Sequence, residues 1–289
     1  MSIVTRELAS IVDSVQASRR ELIAKGAAGL GACGSMPWFQ APHGVPWLLA
    51  QHSVAWCALW LACGGFAAVF LMPLLPRSTK AHENHPCYVG QKLAIYVKVV
   101  LVGGLANVVL YDLHGLPAET SYNGYRPIEI AGVLFAASEI SDLVMSGCFG
   151  FLDMEHIVHH LIHIILGLLI RGECAPAYTA AVLMAQETSG LFLNYYLLMR
   201  HRAPSHPTVV LAQALFAVAF FIWRLGIGTY GTYDFLVQAR DHLPPAFPAW
   251  KATALGTALV AASALQWYWG VFIVKSVARK LLPAPKKAA

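Results

Sequence analysis

Seven stretches of this chain, at about 46–75, 92–112, 127–150, 153–171, 175–199, 207–236 and 247–275, are apolar over lengths near or above those that cross a bilayer. A hydrocarbon core asks for roughly 20 such residues in a helix. The stretches far exceed the roughly 10 alternating residues of a barrel strand. With 57% hydrophobic and only 12% charged residues, a soluble enzyme of 289 residues is excluded. The expected fold is all-α, a multi-pass membrane bundle of about seven transmembrane helices.

The formal charge of +5 does not indicate a nucleic-acid partner, because Lys and Arg lie mostly beside span ends and in the tail. They act as topology signals. If the amino terminus is outside, the inside regions hold Arg77, Lys80, Lys92, Arg200, Arg202, Lys275, Arg279, Lys280, Lys286 and Lys287, against Arg126, Arg171, Arg240 and Lys251 outside. Arg6, Arg19, Arg20 and Lys25 run against this assignment. Six cysteines show no framework spacing, so neither zinc nor a disulfide scaffold is indicated.

The chain divides into a segment at 1–45, with an amphipathic helical pattern before a Gly- and Pro-rich linker, then a first span and loop at 46–83. A six-span region at 84–280 and a basic tail at 281–289 follow. No apolar core of signal-peptide type precedes residue 46, and no cleaved leader is expected. Gly150 to Asp153 leaves room only for a tight turn, which makes spans three and four an antiparallel hairpin. Lys286 and Lys287, four and three places from the end, resemble the dilysine retrieval signal of endoplasmic-reticulum membrane proteins.

Lys98, Glu139, Asp142, Glu187 and Arg224 fall inside these spans. Each charge at a helix centre costs about 2.5–3.5 kcal/mol, so these groups must face a polar interior and offset one another. His156, His159, His160 and His163 recur at helical spacing and occupy one face, within an arc of about 100°. Asp142 sits about 12 Å below the cytosolic end of its span and His160 about 10 Å below that of the next, so the two should meet. Glu187 and Asn194 are seven residues apart and share a face of an unbroken helix. Arg224 is the expected counter-charge of Glu187.

These residues carry a resemblance: Asp142, then the His159–His160 pair, then Glu187-Thr188-Ser189 with Asn194, then Phe220-Phe221-Ile222-Trp223-Arg224. Their order and spacing over roughly 84–280 are similar to the TLC-domain family, which includes ceramide synthases and translocating-chain-associated membrane proteins. The resemblance implies a six-helix unit around a polar-lined cavity for a lipid chain, usually in the endoplasmic reticulum, with span one an extra helix. It marks His159, His160 and Asp142 as the site, with His156, His163, Glu187, Asn194 and Arg224 lining the lipid. The Ser-Tyr that follows the histidine pair in ceramide synthases is replaced here by Leu161-Ile162, and their His-Asp by Gln186-Glu187. The chain resembles more closely the TLC-domain-containing proteins linked to membrane-lipid composition.

Three functions follow from these residues. The first is lipid handling in membrane-lipid synthesis or homeostasis, with acyl-CoA the donor if acyl groups are transferred. In that chemistry His160 is the general base, oriented by His159 or Asp142. The second is a non-enzymatic lipid sensor or translocation accessory. The third is a di-iron hydroxylase, suggested by the box His156-Ile157-Val158-His159-His160. That chemistry resembles a site of about eight histidines in three boxes, and His82–His85 and His201–His206 are poor substitutes. No cofactor and no stoichiometric metal are therefore expected.

Overall fold

Start signals stand where the apolar stretches begin. Pro86 and Pro207 each occupy the first turn of a helix, where a missing N–H costs nothing. The preceding histidine caps each one: His85 Nδ1 accepts from Cys87 N at 3.2 Å, and His206 Nδ1 from Thr208 N at 3.4 Å. The second span thus begins six residues before the apolar run at 92–112, because capping and not hydropathy sets a helix start.

The computed structural model describes residues 44–113, 126–170, 176–243 and 248–281, and these are helices and short connections with no strand. The amino-terminal segment, the linker before Gly44 and the dilysine tail lie outside the described residues. Helix α1 (Gly44–Phe66) runs on through a π turn, Ala67–Leu71. Helices α2 (Pro86–Lys98) and α3 (Gly104–Leu113) are one rod joined by the π segment Val99–Gly103. Helices α4 (Arg126–Cys148) and α5 (Met154–Ile170) form the hairpin. Helices α6 (Ala177–Ala185) and α7 (Gly190–Met199) are one rod interrupted by the 3₁₀ turn Gln186–Ser189. Helices α8 (Pro207–Ala219) and α9 (Gly228–Val237) are joined by the π segment Phe220–Ile227, and α10 (Ala249–Leu281) closes the bundle.

Five rods are long and apolar enough to cross a membrane by length and composition: Leu49–Leu71, Pro86–Leu113, Ala131–Cys148, Pro207–Asp241 and Ala249–Ser276. Helix α5, at 17 residues, and the interrupted α6–α7 rod complete the seven. The outer faces expose large apolar side chains such as Val54, Val69, Val100, Leu211 and Val218. In water so much exposed hydrocarbon would be an association surface, whereas acyl chains cover it without loss.

Spans two to seven contact one another in a closed circuit. The hairpin α4–α5 meets α3 on one side and α10 on the other, α10 meets α9, α9 meets α6, and α7 returns to α2. The first span packs on α2 and α4. Helix α6, Ala-Tyr-Thr-Ala-Ala-Val-Leu-Met-Ala, is buried at nearly every position, since small side chains let neighbouring backbones come close. The α1–α2 crossing is tighter still: a Cβ at Gly90 would lie 2.5 Å from Gly64 N.

Between α4 and α5 the chain reverses at Gly150, whose φ of 70° belongs to the left-handed region open to glycine. Phe151 N donates to Ser146 O at 2.8 Å, closing the helix end.

At the same end of the bundle, loops from three rods lock together. Glu83, 1% exposed, accepts from Ser78 Oγ at 2.6 Å and faces His201 Nδ1 at 2.7 Å. Arg202 donates to Pro76 O at 2.7 Å and to Glu83 O. His82 and His85 stack edge-on or tilted against Tyr88, Phe149 and Phe151. His201 is therefore half-buried and paired.

Burial pushes the Glu83 carboxyl up, but hydrogen bonds from Ser78 and His201, with the charges of His201 and Arg200, outweigh it and hold the group below its ordinary value. A depressed acid stabilises the fold above its unfolded pKa of about 4.3, and that share is lost as pH falls through the folded value. In detergent, the melting-temperature difference between wild type and Glu83→Gln should be steady from neutral pH to about pH 5 and shrink below about pH 4. A difference that grows in acid would reverse the assignment.

Candidate functional site

The three departures from α-helical winding nearest the bundle interior carry or adjoin the buried charges. Lys98 immediately precedes the π segment of the second span, Glu187 lies in the 3₁₀ turn, and Arg224 lies within the π segment Phe220–Ile227. The 3₁₀ turn packs against both π segments, so the three altered windings meet. Such segments re-aim side chains that a regular helix would hold elsewhere.

Lys98 Nζ bridges two acids, 2.7 Å from Glu139 Oε1 and 2.7 Å from Glu187 Oε2. Arg224 Nη2 stands 3.8 Å from Glu187 Oε1, while its Nε donates to Ser189 Oγ at 2.7 Å and Nη1 to Gln266 Oε1 at 3.4 Å. Arg224 does approach Glu187, as its depth predicts. The close counter-charge is Lys98, however, because the altered winding at Val99 and at Gln186 turns Lys98 and Glu187 toward each other. A buried ion pair gains most from the shortest, hydrogen-bonded partner.

The four histidines line one side of α5, but that side divides. His156 and His160 turn toward α4: Asp142 Oδ2 is 3.2 Å from His156 Nε2 and 3.1 Å from His160 Nε2. His160, 5% exposed, also has Nδ1 2.5 Å from Glu139 Oε2. His159 and His163 stand apart from these carboxylates and pack on rings instead. Their rings are 4.1 Å apart, His159 lies 5.3 Å from the Trp269 ring on α10, and His163 meets Phe135 edge-on. His163 Nδ1 is 2.8 Å from His159 O, one turn back. His159 Nδ1 is buried with no hydrogen-bond partner.

Asp142 and His160 meet, as their equal depth requires. Asp142, one of the two groups expected to orient His160, stands 3.1 Å from its Nε2, and Glu139, not among them, lies beside the second ring nitrogen. Glu139 and Asp142 are three residues apart, neighbours on one face of α4, and so grip the same imidazole from two sides. Glu187 and Asn194 are both buried, but the 3₁₀ turn breaks the two-turn register assumed between them. Asn194 Nδ2 donates to Gly190 O at 2.7 Å, within its own helix.

Lys98, Glu139 and Gln91 are absent from the residues the motifs mark, and Ser189, though part of the Glu187-Thr188-Ser189 motif, is given no role there. Gln91 Nε2 donates to Asp142 Oδ1 at 2.9 Å and to Ser146 Oγ at 3.1 Å. The signal available for Lys98 and Glu139 was the cost of charge inside a span. Nothing in the linear pattern singles out Gln91. Beside Asp142 a narrow cleft, roomy enough for ordered water, is bounded by Trp56, Trp60, Gln91, Lys98, Ser138 and Asp142.

No curated protein matches the chain. Residues 47–275 match the TLC domain, a stretch that takes in the first span as well as the six that follow it. The histidine pair, its acid and the charged residues of the later spans all lie within that match, and the chain belongs to the TLC-domain family.

Proposed function

We propose that this protein binds a long-chain membrane lipid between its helices and acts in membrane-lipid synthesis or homeostasis, the lipid's polar end meeting the histidine–carboxylate cluster. The observation that carries this reading is the unequal histidine pair. His160 has a carboxylate beside each ring nitrogen, Glu139 at 2.5 Å and Asp142 at 3.1 Å, although its Nδ1 makes no aligned hydrogen bond, whereas the adjacent His159 has a buried Nδ1 with neither an ion-pair nor a hydrogen-bond partner. A desolvated imidazole with a free lone pair is a proton acceptor for an amine or hydroxyl, which makes acyl transfer from a donor such as acyl-CoA the reaction class. Family membership supports the reading.

A second reading, a non-enzymatic lipid sensor or translocation accessory, is favoured by how completely Lys98, Glu139, Glu187 and Arg224 offset one another. Polar contacts of that kind hold membrane bundles together without any chemistry. Native mass spectrometry after gentle extraction separates the two when joined to substitution at the pair. The expected result is a co-purifying lipid, with His159→Ala abolishing its turnover while abundance and melting stay near wild type. His160→Ala should also lower stability, since it leaves two carboxylates facing each other. Full turnover in His159→Ala, or no bound lipid, hands the case to the accessory reading.

A further inference from the structure

Asp142 divides its oxygens between two tasks. Oδ1 is taken by the Gln91 amide at 2.9 Å, and Oδ2 is left facing two imidazole nitrogens, His156 Nε2 at 3.2 Å and His160 Nε2 at 3.1 Å. The three ligand atoms all lie within 4.8 Å of one another. Ligands held about 2.1 Å from one ion at tetrahedral angles stand about 3.4 Å apart, so two of the three separations are already close to a tetrahedron's edge.

The supports are those of a metal site. His156 and His160 are four residues apart on α5, one helical turn, which stacks their rings with centroids 4.2 Å apart and sends both Nε2 atoms the same way. His160 Nδ1 faces Glu139 Oε2 at 2.5 Å without an aligned hydrogen bond, which places a carboxylate behind the ring where an outer partner of a metal-bound histidine stands. Glu139 is in turn held by Lys98, so its charge is offset away from the three ligands. His156 Nε2 is buried and makes no aligned hydrogen bond, although it lies 3.2 Å from a carboxylate oxygen.

We propose that Asp142, His156 and His160 form a binding site for a single divalent transition-metal ion, with zinc as the best match to two imidazoles and one carboxylate at four-coordination. The sequence argument against metal counted histidine boxes for a two-iron centre. A one-metal site needs three ligands, and the third comes from another helix. An ion here serves as a Lewis acid toward an ester or amide carbonyl at the lipid's polar end. The site is independent of proton transfer at His159: loss of turnover in His159→Ala leaves metal content unchanged, and absence of metal leaves the His159 experiment standing.

The test uses the full chain, purified in detergent through a tag without histidine from zinc-supplemented culture. Elemental analysis should find about one equivalent of zinc. After chelation, returning zinc should raise the melting temperature of the wild type, as any ligand of the folded state does. His156→Gln, at the less buried edge of the cluster, should lose the bound zinc and the thermal response together. His206→Gln, outside the cluster, should keep both. Cobalt in place of zinc should give visible ligand-field bands that Asp142→Asn removes. Wild type with less than about a tenth of an equivalent, both as purified and after zinc is added, overturns the proposal. So does equal zinc in wild type and His156→Gln. Either result leaves His160 as a ring placed between two carboxylates with no ion beside it.

Discussion

Lys98→Met should be among the most damaging single substitutions in the bundle, lowering stability by about 3–5 kcal/mol, the loss expected when one partner of a buried ion cluster is removed. The physical reason is that Lys98 serves two acids at once. Its ammonium lies 2.7 Å from both Glu139 and Glu187, which are 1% and 4% exposed. Methionine keeps the volume and leaves two carboxylates without their nearest cation. Arg224, at 3.8 Å from Glu187 and occupied by Ser189 and Gln266, replaces only part of the loss. Adding Glu139→Gln to Lys98→Met should therefore recover stability, so that the double variant melts above the single one. A double-mutant cycle on thermal unfolding in detergent measures this coupling directly. Additive losses would mean that Lys98 and Glu139 do not interact.

The second large effect belongs to the α1–α2 crossing. A Cβ on Gly90 would lie 2.5 Å from Gly64 N and 2.6 Å from Gly64 Cα, both backbone atoms that cannot rotate away. Gly90→Val must therefore push the first span off the second, at the upper end of the roughly 1–3 kcal/mol typical of overpacking. The separation would also break the hydrogen bond from Trp60 Nε1 to Cys87 O, now 2.6 Å, and open the cleft beside Asp142. Gly65→Ala supplies the control, since nothing lies within 4 Å of the Cβ it would gain. It should be neutral or slightly stabilising, because alanine is the better helix former by about 1 kcal/mol. Tryptophan fluorescence during thermal unfolding reads both variants. Equal melting temperatures for the two would remove the crossing as a determinant of the fold.

The hairpin α4–α5 and the meeting of Asp142 with His160 were legible in the sequence. Four histidines at helical spacing had to share a face, and a turn as short as Gly150 to Asp153 had to bring Asp142 beside His160. Local geometry enforces both conclusions, because rise per residue and angle per residue hardly vary within a helix. The same regularity misled the reading of Glu187 and Asn194, where a 3₁₀ turn replaces the helix that the spacing assumed. Composition does not announce such a change of winding. The segments beside it approach closely, Gly103 against Thr188 and Gly228 against Gln186, and only the packed bundle shows that approach.

What the amino-acid sequence determined by itself was the solvent and the secondary structure: runs of apolar residues too long for strands, with backbone groups that a bilayer obliges to bond within their own segment. It also set the cost of every buried charge, and with it the requirement that the charges find one another. Only the tertiary structure decided the partners. Lys98 rather than Arg224 lies closest to Glu187, Glu139 joins Asp142 around His160, and His159 faces Trp269 with a nitrogen to spare. Pairing depends on distances of a few ångströms between helices far apart in sequence. Those distances are set by which small residues let which backbones approach, and only the packed bundle shows them.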